Sequence, residues 1–81
     1  MKFAIIDGRT VTSMADVHAA LAQQLAFPEW YGGNLDALHD CLTETAVDIQ
    51  ITLVEPDLLP ALLHMLQDCA EENPHIRLLT F

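Results

Sequence analysis

Three short apolar runs constrain the fold of this chain more than any other feature. They occupy residues 3–6, 49–54 and 76–81, and each is rich in strand formers but too short for a stable helix. Between the first two lie two segments with apolar residues at helical spacing, and between the last two lies a third. The order strand-helix-helix-strand-helix-strand predicts an α/β fold, a small parallel sheet packed with helices. At 81 residues there is room for a single domain, residues 1–81. Apolar residues make up 52% of it, enough to bury a core despite a formal charge of −9.

The punctuation between these segments is specific. Asp7-Gly8 marks a turn after the first strand. Ser13 followed by Asp16 predicts the start of a helix over residues 13–26, with Met14, Val17, Leu21 and Leu25 inward and an end before Pro28. Asn34 is a good N-cap for the second helix, whose Leu35, Leu38 and Leu42 share one stripe. After the second strand, Asp57 is expected to cap a third helix with Pro60 in its first turn. Leu58, Leu62, Met65, Leu66 and Cys69 form its expected buried stripe. Asn73-Pro74 ends it.

Charge narrows the function. Lys2, Arg9 and Arg77 are the only fixed cations, so positions 10–76 hold no lysine or arginine, while eleven of the twelve acids lie there. Such a chain cannot neutralise phosphates, which argues against direct binding of nucleic acid or of an anionic membrane. It can attract a cationic partner and speed the encounter. Cys41 and Cys69 fit no metal or redox spacing and are expected as two reduced thiols, which with the absence of an apolar leader points to the cytoplasm.

Catalytic patterns are missing. There is no phosphate-cradling glycine loop, and His18, His39, His64 and His75 sit on separate elements with no HxxxH pair. His18 and His64 are expected at the boundary of helices packing on the sheet. Consecutive residues His39, Asp40 and Cys41 point about 100° apart on a helix and cannot share one metal. No enzyme, metal or cofactor is expected.

What remains is the stretch "FPEWYGGNLDALHDCLTE", residues 27–44. Trp30 and Tyr31 sit in a glycine loop, and the helix that follows carries Asp36, Asp40 and Glu44 at i, i+4 and i+8, with Thr43 among them and His39 on the flank. Each like-charged i,i+4 pair costs roughly 0.2–0.5 kcal/mol, and no cation relieves it. Only Asp36 is near enough to the helix start to gain from the dipole. A solvated face is the plain reading. Aromatic anchors beside unrelieved acids also suit a surface made for a cationic pocket.

These residues carry a resemblance. "LAFPEWYGGNLDALHDCLTE" resembles the signature of the barstar family of intracellular ribonuclease inhibitors: proline, acid, two aromatics and a glycine, then Asn-Leu-Asp-Ala-Leu and Asp-Cys-Leu-Thr. The likeness covers nearly the whole chain, though only this central motif is specific. It implies a three-stranded parallel sheet and an inhibitor that plugs the active site of a barnase-like ribonuclease, its acids replacing RNA phosphates. Carried over by position, it implies Asp40 as the central acid gripped by the enzyme's cations and Asp36 as a second acid. Trp30 stands at an aromatic contact, Gly32, Asn34 and Thr43 at contact or shaping positions, and Asp68 at an interface acid on the last helix.

The pattern is also broken in places. His39 stands where the family has a tryptophan, Glu44 where it has a glycine, and the segment between the second strand and the last helix is shorter. These departures bear on the partner more than the fold. The expected partner is a basic ribonuclease or, alternatively, another cationic protein. The expected surface comprises Trp30, Tyr31, Gly32, Asn34, Asp36, His39, Asp40, Thr43, Glu44 and Asp68, on a chain that is a monomer when free.

Overall fold

The computed structural model describes residues 1–29 and 31–81. Its elements follow in the order β1 (Lys2–Asp7), α1 (Met14–Leu25), α2 (Leu35–Glu44), β2 (Ile49–Val54), α3 (Pro60–Glu72) and β3 (Ile76–Thr80). The strands form one parallel sheet in the order β1-β2-β3, with Ala4 opposite Ile51 and Ile51 opposite Leu78. The expected α/β class, parallel sheet and element order are all present.

Strand alternation decides which side of the sheet is covered. Ala4 and Ile6 on β1, Ile49, Ile51 and Leu53 on β2, and Ile76 on β3 point into the core. Val17, Leu21 and Leu25 of α1, Leu38 and Leu42 of α2, and Leu62, Leu66 and Cys69 of α3 close over them. Full burial of one such side chain stabilises the fold by roughly 1.5–3 kcal/mol. That outweighs the acid-row repulsion along α2 several times over. The opposite face of the sheet is open, with Phe3 58% and Ile5 60% exposed.

The helix starts divide into two kinds. Ser13 caps α1, its hydroxyl accepting from Asp16 N at 3.3 Å, as the sequence predicts. The Asp16 carboxylate reaches one residue further back than a capping box requires and accepts from Thr12 N at 3.1 Å. Asn34 caps α2, accepting from Ala37 N at 2.8 Å. The third start differs from expectation. Glu55 takes a left-handed conformation (φ 54°), Pro56–Leu58 form a single 3₁₀ turn, and α3 begins only at Pro60 with no side-chain cap. Asp57 therefore caps nothing in α3, and Leu58, expected in the buried stripe, is 56% exposed on the 3₁₀ turn. Two prolines four residues apart explain the delay, since each is favoured where a helical run begins.

Tertiary polar contacts then fix the helix ends. Lys2 Nζ donates to Leu25 O at 2.8 Å, satisfying a terminal carbonyl of α1. Ala26 follows in a left-handed conformation (φ 55°) that glycine would adopt with less strain. Asn73, 5% exposed, donates from Nδ2 to Leu42 O at 2.8 Å and to Thr45 O at 3.0 Å, so the end of α3 collects the loose carbonyls at the end of α2. Cys41 and Cys69 are free thiols, as expected.

Candidate functional site

The site is the outer side of α2 and the loop that leads into it. Leu38 and Leu42 are fully buried, so the helix cannot turn about its axis, and Asp36, Asp40 and Glu44 are held outward and exposed. Among the described residues, neither Asp36 nor Glu44 has an ion-pair partner. Asp40 has one such partner among the described residues, the His39 ring at 3.9 Å. Lys2 lines one hollow with Glu44 but forms no ion pair with it, so among the described residues no lysine or arginine pairs with the row.

The loop is tied down on its inner side. Tyr31, half-buried, packs its ring 4.8 Å from Phe27 and hydrogen-bonds through its hydroxyl to His18 Nδ1 at 2.6 Å. His18 is 6% exposed, so it is a buried partner of the loop rather than the boundary residue its place in α1 suggests. Burial lowers the His18 pKa below its ordinary value and pushes the Tyr31 phenol up to about 12, so it favours the neutral form of each. Gly33 then turns the chain with φ 66° into Asn34.

The other expected residues fall in different places. Asn34 spends its side chain on the cap, and Thr43 turns its hydroxyl back to His39 O at 2.8 Å. Gly32 borders a shallow notch of about 350 Å³ with Ala37, Asp40, Cys41 and Glu44. Burial, then the neighbouring Asp40 and Glu44 carboxylates, raise the Cys41 thiol pKa, so it is a poor nucleophile. His39 Nε2 lies 3.4 Å from Glu72 Oε2 on α3. Asp68 lies one turn before Glu72 and lines a separate groove beside β3. Trp30 lies outside the described residues.

Two contributors escape a reading of the chain alone. His18 was assigned to helix packing, and Glu72 carried no motif. The one available signal for Glu72 is its place four residues after Asp68, which puts both on one side of α3. Among the described residues no group of His, Cys, Asp and Glu is arranged to hold a metal. No described helix is long and apolar enough to cross a membrane.

Comparison with known proteins settles the family. The model of the barstar (barnase inhibitor) family matches residues 1–79, nearly the full chain. The chain belongs to the barstar family. It is also 50% identical over 54 residues to YrdF of Bacillus subtilis (strain 168), named as a candidate ribonuclease inhibitor. That match covers 67% of this chain but 58% of the relative. The family is one of inhibitors. In this barstar-family chain His39 lies between two carboxylates, 3.9 Å from Asp40 and 3.4 Å from Glu72.

Proposed function

We propose that this chain inhibits a basic, barnase-like ribonuclease by seating the outer side of α2 and its preceding loop in the enzyme's active-site cleft. The observation that carries this reading is the row Asp36, Asp40 and Glu44, exposed on a helix locked from behind and without a lysine or arginine partner among the described residues. A cleft built for RNA phosphates supplies the missing cations. Charge-assisted hydrogen bonds from arginine and lysine to these carboxylates offset their mutual repulsion.

In this reading Asp40 is the central anchor, with Asp36 and Glu44 flanking it along the helix. Gly32 and Asn34 shape the approach, Trp30 and Tyr31 supply aromatic surface, His39 and Thr43 border the anchor, and Asp68 adds an acid from α3. Inhibition is by occlusion, with no cofactor and no covalent change. An immunity role in the cytoplasm, where Cys41 and Cys69 stay reduced, goes with it, as does a free monomer.

The test is to titrate the protein into a barnase-like ribonuclease digesting a fluorogenic RNA. The wild type is expected to inhibit stoichiometrically. Asp40→Ala should weaken it by about 2 kcal/mol or more, roughly thirty-fold, as truncation of a central interface anchor does. Raising the salt should slow association of the wild type more than dissociation. A folded wild type that leaves such an enzyme fully active would overturn the proposal.

A further inference from the structure

The two margins of the sheet are finished differently. In a parallel ladder alternate residues bond to the neighbouring strand, and those between them turn their N–H and C=O outward. On β1 the outward residues are Phe3, Ile5 and Asp7, because Lys2 N donates to Asp48 O and Gly8 N to Val54 O. Gln24 of α1 covers the middle of this margin. Its Oε1 accepts from Ile5 N at 2.8 Å and its Nε2 donates to Ile5 O at 3.1 Å, while Asp7 O accepts from Thr10 N at 3.1 Å.

The margin of β3 has no such cover. Ile49 N donates to His75 O, Phe81 N to Leu53 O and Glu55 N to Phe81 O, so the outward residues are Ile76, Leu78 and Thr80. Ile76 N is taken by Asn73 O at 3.0 Å. The backbone groups of Leu78 and Thr80 have no partner among the described residues. Beside them α3 overhangs a groove of about 590 Å³, floored by Leu78 and Thr80 and walled by Gln67, Asp68 and Glu71, with no lysine or arginine in its lining. An uncovered edge of this kind is a template for another strand.

We propose that the edge of β3 accepts an extended segment of a basic partner protein as a fourth strand. Backbone hydrogen bonds come from Leu78 and Thr80, and side chains of an added strand alternate between its two sides. Those on the α3 side enter the groove, where Asp68 and Glu71 select lysine or arginine. Those on the open side lie against Leu79, so the segment alternates basic and apolar residues. A second copy of the chain fits poorly, because it would bring another Asp68 and Glu71 against the first on a molecule of charge −9. The surface is distinct from the outer side of α2, although Asp68 lies near both.

A short acetylated and amidated peptide alternating lysine and valine is the probe, with amide hydrogen exchange followed by nuclear magnetic resonance. The peptide should slow exchange at Leu78 and Thr80 by roughly ten-fold or more at saturation. An analogue N-methylated at alternate residues keeps the charge but cannot pair as a strand, and should bind at least roughly ten-fold more weakly. Glu71→Gln should weaken the parent peptide several-fold. Thr80→Pro removes an outward N–H while leaving the ladder to β2 intact, and should abolish the protection. Asp40→Ala should leave peptide binding unchanged while weakening ribonuclease inhibition, so the two proposals fail separately. Equal binding by the N-methylated analogue would overturn the inference by showing attraction through charge alone. Protection that grows with protein concentration without peptide would also overturn it, in favour of a second copy.

Discussion

The two sides of α2 are built by opposite rules. On the inner side the helix is tied at both ends: Asn34 caps the start, Asn73 gathers the carbonyls of Leu42 and Thr45, and Leu38 and Leu42 are sealed from solvent. On the outer side three carboxylates stand in a row, and among the described residues the His39 ring beside Asp40 is the one group within ion-pair distance of them. A helix optimised for stability would intersperse lysines at i,i+4. This one instead invests its order in holding a repulsive surface still, and rigidity of that kind lowers the entropic cost of meeting a partner.

That contrast can be broken from the inside first. Leu42→Ala removes a fully buried side chain behind the acid row and should cost about 2–5 kcal/mol, read as a drop in the urea midpoint. Inhibition by whatever fraction stays folded should fall as well, because the outer side loses its backing. Next comes Asn73→Ala. It leaves the Leu42 and Thr45 carbonyls without their donor and should cost about 1–3 kcal/mol. Hydrogen exchange in the last turn of α2 should speed up more than in α1, and equal acceleration in both helices would count against the tie.

The loop that leads into α2 is tied down on its inner side through Tyr31, and pH tests that tie. His18 has a lowered pKa when folded, so the unfolded chain binds its proton more readily, and stability should fall as pH drops below about 6.5. Tyr31, raised to about 12, reverses the sign at the alkaline end, where stability should fall as pH rises past about 10. Tyr31→Phe keeps the packing on Phe27 but loses the bond to His18, a cost of about 1 kcal/mol. It should shrink the alkaline loss to the part owed to the Cys41 and Cys69 thiols, whose pKa values are also raised, and leave the acidic one. The smallest effect is expected on the outer side. Glu44→Gln relieves one like-charged pair and should stabilise the free protein by roughly 0.2–0.5 kcal/mol, while weakening inhibition.

The outer side of α2 was legible from the sequence because a helical period fixes both its faces at once. Placing Leu38 and Leu42 inward leaves Asp36, Asp40 and Glu44 no other direction to point. The caps at Ser13 and Asn34 were legible for a similar reason, since each acts within a few residues of itself. The inner ties were not. His18 meets Tyr31 across 13 residues and Asn73 meets Leu42 across 31, and no local pattern announces a partner at that distance. The start of α3 was misplaced because Asp57 reads as a cap, while the left-handed Glu55 and the turn at Pro56 delay the helix to Pro60.

The amide of Asn73 also sets an order of events during synthesis. The residues of the acid row are polymerised by position 44, but the donor that meets the last carbonyls of α2 is added only 28 residues after Thr45. β3, which completes the sheet beneath α3, follows later still. The acids are therefore made well before the contacts that hold them in place, and the rigid row is a product of the completed fold rather than of its own segment.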